Sequence, residues 1–284
     1  MHPLVMEEKI NVLLEALPYI IKFHGKTFVI KYGGAAMEEE RLRRDFARDV
    51  VLLKHVGINT VVVHGGGKKI GKLLDDLKIQ SHFINGLRVT DEETLGVVEM
   101  VLSGSINKEI VKYINEMGGK AIGLSGKDGR LLLAQRVSNE NLGLVGEVVS
   151  VNVDIIESIS KMGYIPVIAP VADGADGKTY NINADTAAGA IAGALKAEKL
   201  ILLTDVDGVL NSKGELLSII DGRDIDKLIN EEVVKGGMIP KIECAREALK
   251  KGVGKVHIIN GNVPHALLLE IFTDSGIGTQ IQGV

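Results

Sequence analysis

The chain has 284 residues, 45% of them hydrophobic and 4% aromatic, with no tryptophan. Its 33 basic and 37 acidic residues leave a formal charge of −4 without a basic run, so nucleic acid is not an expected partner. No apolar stretch approaches membrane-span length, no signal-peptide core is present, and the single cysteine, Cys244, fits a reducing cytosol; a soluble cytoplasmic protein is expected.

Residues 3–22 are the first predicted helix. Ile10, Leu13, Leu14 and Leu17 fall at i, i+3, i+4 and i+7, an apolar stripe, and Pro18 is expected to kink it. The helix precedes the first strand, and the sequence leaves two readings open: packing on its own domain, or an oligomerisation arm. Six nearly continuous Val/Ile/Leu runs then predict strands covered on both faces: Phe28–Tyr32, Thr60–His64, Lys120–Leu124, Tyr164–Ala169, Lys199–Thr204 and Lys255–Ile259. Amphipathic helices fall between them, including Glu39–His55, Lys69–Leu77, Asn152–Lys161 and Ala184–Lys196. This alternation predicts an α/β protein, a three-layer αβα sandwich around a mostly parallel sheet. Leu131–Gln135 and Leu144–Val149 read as an exposed hairpin, and "ADGADGK", Ala172 to Lys178, as a loop that could divide two lobes.

"HGGGKKIGKLL", His64 to Leu74, approaches the P-loop pattern but puts Leu73 where a hydroxyl must ligate magnesium. Ile70, Leu73, Leu74 and Leu77 form a helical stripe, which leaves Lys72 on the solvated side. What survives is a strand, three glycines and a helix start, an arrangement that binds an anion, a carboxylate as readily as a phosphate. Other anion-directed features fall at strand ends, where open α/β sheets bind ligands. Lys31 precedes Tyr32-Gly33-Gly34, and "GGMIPK" supplies Lys241, with Pro240 near a helix start. "NGLRVTD" places Arg88 on a turn, where its planar fork could clamp a carboxylate. In "NINAD", Asn183 or Asp185 could simply cap a helix, and Asp205 and Asp207 in "LLTDVDGVL" could simply form an Asp-Gly turn. The seven histidines lack metal-ligand spacing, so His64 and His257 read as structural, and Cys244 as inert within a helix.

Together and in order, "KYGGAAM" (Lys31–Met37), "VVVHGGG" (Val61–Gly67), "NGLRVTD" (Asn85–Asp91), "YNINADTAA" (Tyr180–Ala188), "LLTDVDGVL" (Leu202–Leu210) and "GGMIPK" (Gly236–Lys241) resemble the amino acid kinase family. The resemblance runs from about Asn11 onward, and the third and fourth motifs point to the branch that phosphorylates acetylglutamate. It implies a single domain, 1–284, with an amino-acid-binding lobe of about 23–172 and a nucleotide-binding lobe of about 173–284. It further implies transfer of the γ-phosphoryl of ATP, carried with Mg2+ held mainly by the nucleotide, to the side-chain carboxylate of N-acetyl-L-glutamate in arginine biosynthesis.

By the same resemblance Lys31 and Lys241 stabilise the transition state and Asp185 holds both. Gly66 and Gly67 bind substrate through backbone amides, Arg88 takes the α-carboxylate, and Asn181 takes the acetamido group. Asp205, Asp207, Gly208, Leu210 and Met238 line the nucleotide. No protein-bound metal is expected. Relatives inhibited by arginine share an extra N-terminal helix that links dimers into a hexamer, a trimer of dimers. They also share the signature matched by "HALLLEIFTDSGIGT", His265 to Thr279, which makes Glu270, Gly276 and Gly278 candidates for an allosteric arginine site. Relatives commonly carry proline where this chain has Lys68, which implies a looser helix start and a cation near the anion site. A kinase of acetylaminoadipate, or of a carrier-bound substrate in lysine biosynthesis, shares most of these motifs. A non-catalytic amino-acid sensor on the same fold is the reading from another class.

Overall fold

The apolar runs form strands because helices cover both of their faces: Val29, Ile30, Val62, Val63, Leu200 and Ile201 are all fully buried. The structure, a computed structural model, describes residues 3–283, the side chains of residues 3–9 and of Glu140 excepted. It opens with α1 (Pro3–Phe23) and β1 (Thr27–Tyr32), then α2 (Glu40–His55), β2 (Asn59–His64) and α3 (Gly67–Asp76). A short hairpin, β3 (Phe83–Ile84) and β4 (Leu87–Arg88), leads to α4 (Glu92–Glu99). A π-helical stretch, Met100–Ile106, joins α4 to α5 (Asn107–Glu116), followed by β5 (Ala121–Ser125), β6 (Leu132–Arg136), β7 (Val145–Val151) and α6 (Val153–Lys161). Next come β8 (Ile165–Ala169), β9 (Val171–Gly174), β10 (Thr179–Ile182), α7 (Ala184–Ala194) and β11 (Lys199–Thr204). The described chain closes with β12 (Ile219–Asp221), α8 (Ile225–Asn230), α9 (Met238–Lys250), β13 (Lys255–Asn260), α10 (Ala266–Ile271) and β14 (Thr279–Gln282).

Eight strands form the central sheet in the order β12-β14-β13-β11-β1-β2-β8-β5. The strands from β13 to β5 are parallel; β14 runs antiparallel to β13, and β12 lies parallel to β14. One hydrophobic core lies between the sheet and the α2, α5 and α10 side, with Phe28, Ile30, Phe46 and Val62. The other lies on the α7 and α9 side, with Val29, Val61, Val63, Ala188 and Ala245. All six sequence-predicted strands and the four helices are present, their ends shifted by a residue or two.

Several expectations need correction. The segment read as an exposed hairpin is the antiparallel pair β6–β7, but β9 and β10 close it into a four-stranded barrel-like unit that buries Leu131, Leu132 and Val145. The aspartate-rich stretch is not wholly loop: its first half is strand β9, which pairs with β10 through Ala172–Tyr180 and Asp173–Thr179. Leu77 does not belong to the buried stripe of α3; it is 51% exposed because the helix ends at Asp76.

Candidate active site

Side chains alternate along a strand, so Val29 and Lys31 of β1 point to the same face of the sheet, the face covered by α7. Asn183 caps α7: its side-chain oxygen accepts from the amides of Asp185, at 2.8 Å, and Thr186, at 3.2 Å. Of the two residues considered as caps, Asn183 therefore takes that role, and Asp185 is free to turn toward Lys31. The two charged groups lie 3.0 Å apart, Nζ to Oδ1.

Lys241 arrives from α9. Gly189 of α7 lets α9 approach closely, since a Cβ there would lie 2.7 Å from Cys244 Sγ. Lys241 sits one turn before Cys244, and its Nζ donates to Asp185 Oδ2 at 2.7 Å. The three side chains are only 11%, 12% and 16% exposed for Lys31, Asp185 and Lys241. Burial opposes ionisation of Asp185, but the two ammonium groups outweigh it and hold the carboxyl below its ordinary range. Burial pulls the Lys31 pKa down, and Asp185 offsets only part of that. The Cys244 thiol, buried and beside Asp185, is pushed up to about 12, so it is unreactive as the sequence suggested.

The glycine cluster lies next to this triad. Gly65 N–H donates to Tyr32 O at 2.8 Å, tying the loop after β2 to the end of β1. A Cβ on Gly33 would come 3.0 Å from Lys31 Nζ and one on Gly65 3.8 Å from Ala184 Cβ, so bare backbone lies against the lysine and the start of α7. Arg88 is not on the turn but two residues past it, on β4. The turn itself is Asn85-Gly86, both with positive φ, 50° and 79°. The guanidinium is buried, stacks 4.6 Å from the Phe83 ring centroid, and donates to Gly67 O at 2.9 Å and to the Ser81 hydroxyl. Asn181 Nδ2 donates to Thr90 Oγ1 at 3.1 Å, and that hydroxyl donates to Arg88 O at 2.8 Å. Gly67, Arg88, Thr90 and Asn181 are thus one connected unit, in which the sequence reading missed Thr90.

Lys31, Asp185, Lys241 and the glycines share one place, the carboxyl ends of the strands beside β1. Asp185 also faces a cleft of 1060 Å³ between the β3–β4 hairpin and helices α7 and α9, walled by Asn85, Gly86, Gly189, Gly237 and Pro240, while Gly66 and Gly67 line a separate cavity of 520 Å³ with Gly34 and Lys68. Met238 opens α9 one turn before Lys241. Asp205, Asp207, Gly208 and Leu210 follow β11: Asp207 accepts from Asn260 Nδ2 at 2.7 Å, and Gly208, with φ 150°, packs against Thr279. Lys68 is committed to Glu38 at 2.9 Å, an exposed pair, and Gly66 gives α3 no side-chain cap.

The remaining candidates form a second cluster at the base of α1. Glu270 accepts from Ile277 N at 2.7 Å and Gly278 N at 3.1 Å, and lies 2.5 Å from His257 Nδ1. Gly276, with φ 60°, leaves no room for a Cβ, which would stand 2.8 Å from the same carboxylate. Lys199 Nζ is 3.0 Å from His257 Nε2 and 5.2 Å from the Phe23 ring centroid. Its burial brings the lysine pKa down to about 8. Lys199 went unmarked in the sequence, although a lysine opening a fully buried strand was the available signal.

The amino acid kinase family pattern matches residues 26–260. The chain is 60% identical over 277 residues to an acetylglutamate kinase from Thermoanaerobacter pseudethanolicus, covering 96% of this chain and 93% of that protein. It is 57% identical over 286 residues to an acetylglutamate kinase from Citrifermentans bemidjiense, covering 97% and 98%. Among solved structures, N-acetylglutamate synthase from Neisseria gonorrhoeae, complexed with coenzyme A and N-acetyl-glutamate, aligns with a TM-score of 0.87 at 28% identity. That alignment covers 97% of this chain but 63% of the synthase, so the chain spans less than two thirds of its length. Carbamate kinase from Giardia lamblia, at TM-score 0.70 and 16% identity, shares the fold. The chain belongs to the amino acid kinase family. Its branch of that family is the acetylglutamate kinases.

Proposed function

We propose that the chain transfers the γ-phosphoryl group of MgATP to the side-chain carboxylate of N-acetyl-L-glutamate, forming the acyl phosphate in arginine biosynthesis. The observation that carries this reading is the pair of ammonium groups held 3.0 and 2.7 Å from one buried carboxylate, beside a glycine loop. The acceptor carboxylate is ionised at neutral pH, so no general base is required. One carboxylate oxygen attacks the γ-phosphorus, the bond to the β–γ bridging oxygen breaks, and its electron pair leaves with ADP. Negative charge is then shared among acceptor, transferring group and leaving group, and Lys31 and Lys241 neutralise it from two sides. Asp185 fixes both ammonium groups in advance. The amides of Gly66 and Gly67 face the acceptor, Arg88 takes its α-carboxylate and Asn181 its acetamido group. The segment Asp205–Leu210 and Met238 line the nucleotide, and magnesium travels on its phosphates. No helix among the described residues is long and apolar enough to cross a membrane, in keeping with a cytoplasmic enzyme. Residues 23–172 serve as the amino-acid lobe and 173–284 as the nucleotide lobe.

The test compares N-acetyl-L-glutamate with N-acetyl-L-2-aminoadipate as acceptors, with ADP release as the readout. Turnover favouring acetylglutamate is expected; faster turnover of the longer acid, or none of either, overturns the reading.

Regulation by arginine, in a hexamer built as a trimer of dimers, is the finer part of the proposal. Its support is α1, whose stripe residues Ile10, Leu13, Leu14 and Leu17 are 55%, 72%, 57% and 45% exposed within a single chain. At its other end the Tyr19 hydroxyl donates to Asp274 and Phe23 meets Lys199, which places the helix base against the Glu270 cluster. Arginine bound there couples the arm to the lobe with a free energy of about 1–3 kcal/mol. Light scattering paired with an arginine titration should find a sensitive hexamer for the full chain and an insensitive, active dimer for a variant starting at His24. A full-length dimer indifferent to millimolar arginine would overturn this part alone.

A further inference from the structure

His64 ends β2 directly before the three glycines, and its ring is fully buried. Its Nδ1 lies 3.0 Å from Gly65 O, while its Nε2 faces Asn107 Nδ2 at 3.2 Å. The orientation of the Asn107 amide is fixed independently of the histidine. Its nitrogen also faces two carbonyls, Val167 O at 2.9 Å and Leu124 O at 3.2 Å, and its oxygen accepts from Lys108 Nζ at 3.0 Å. The amide therefore turns its nitrogen toward the imidazole: its two N–H groups are shared among three acceptors, and it offers Nε2 no oxygen to which an Nε2–H could donate. A neutral imidazole carries one N–H and one acceptor, so the acceptor must be Nε2 and the proton must sit on Nδ1, aimed at Gly65 O.

That bond matters because of the peptide it holds. Carbonyl and N–H point in opposite directions across a trans peptide, so drawing Gly65 O toward the buried ring turns the Gly66 N–H away from it. Three consecutive glycines would otherwise leave this peptide with great freedom. The π-helical stretch completes the hold: a Cβ on Gly66 would lie 2.4 Å from Ile106 Cδ1 and 2.7 Å from Leu102 Cδ2, so both side chains press on bare backbone. The wider turn brings Leu102, Ile106 and Asn107 to bear on one loop, which accounts for an otherwise rare backbone form at this point.

We infer that Asn107 is a positioning residue for phosphoryl transfer: through the Nδ1–H tautomer of His64 it orients the Gly65–Gly66 peptide, so that the Gly66 amide faces the reacting groups. This rests on the proposed function for the role of the glycine amides, though not for the tautomer. In His64→Asn the side-chain amide stands near Nδ1 and can still donate to Gly65 O; in His64→Gln it reaches the Asn107 side but not Gly65. His64→Gln should lower kcat by about tenfold or more with KM for MgATP unchanged, while His64→Asn retains most of kcat. Equal kcat in two folded variants, or His64→Gln within about twofold of the parent, overturns the inference.

Nitrogen NMR of labelled histidine supplies a second readout, free of turnover. The parent should show His64 as the Nδ1–H tautomer, and Asn107→Ala should admit the Nε2–H form. A parent His64 protonated on Nε2 sinks the relay outright. If the parent turned over no acetylglutamate, the functional reading would fail while the tautomer measurement still judged the relay.

Discussion

Lys241 Nζ stands 2.7 Å from Asp185 Oδ2, across 56 residues of sequence, while the other oxygen of that carboxylate faces Lys31. Two cations sharing one buried anion leave a net positive charge at the mouth of the strands, ready for a polyanion. The carboxylate is needed before substrate arrives, because without it two ammonium groups would confront each other in a nearly dry site. Asp185→Asn should therefore destabilise the fold by about 3 kcal/mol and also lower kcat. Urea unfolding beside steady-state kinetics measures both, and an unchanged unfolding midpoint would show that the carboxylate does not hold the lysines.

Lys31→Ala and Lys241→Ala are each expected to lower kcat by about 10²–10³, with KM for acetylglutamate changed much less. The charge each supplies is needed most while the phosphoryl group lies between two anions. A variant with the parent's kcat and a raised KM would transfer that lysine from catalysis to ground-state binding.

Arg88→Lys should show the opposite division. A lysine keeps the charge but loses the planar fork, the stacking on Phe83 and one of the bonds to Gly67 O and Ser81. KM for acetylglutamate should rise about tenfold, near 1.4 kcal/mol, with kcat reduced less. A KM equal to the parent's would remove Arg88 from substrate binding.

How much of this was readable beforehand differs from residue to residue. Val61–Val63 announced a doubly covered strand because burial on both faces removes any reason for polar alternation. The β6–β7 pair misled for the converse reason: Gln135, Glu147 and Val149 do face solvent, and the covering strands come from a distant stretch that also reads as a loop. Lys31, Asp185 and Lys241 each carried an ordinary local reading, as solvated charge or cap. Only the ordered set of motifs joined them, because their meeting depends on sheet order and on the Gly189–Cys244 approach. Asn107 went unread, although "SGS" inside an otherwise helical stretch marked the irregular turn before it.

His64 also predicts a pH dependence of stability. Burial holds its pKa at about 4, against 6.5 for a free imidazole. Between those values the unfolded chain binds a proton that the folded chain does not, so stability falls as pH falls through the window. The full effect is about 3 kcal/mol. His64→Asn has no such group, so the parent's advantage over it in unfolding free energy should shrink from pH 6.5 to pH 4. An advantage that stays constant across the window would show that the ring is not held neutral.

The antiparallel strand β14 has a consequence for how the molecule comes together. It lies between β13 and β12, so β12 touches the sheet only through residues made long after it. Thr279 at its start also accepts the Val209 amide at 2.9 Å, bracing the loop that follows β11. On the ribosome, β1, β2, β5, β8, β11 and β13 can pair as they emerge, but β12 and that loop must wait for β14. The loop after β11 is thus braced only once β14 has joined the sheet, later than the parallel strands around it.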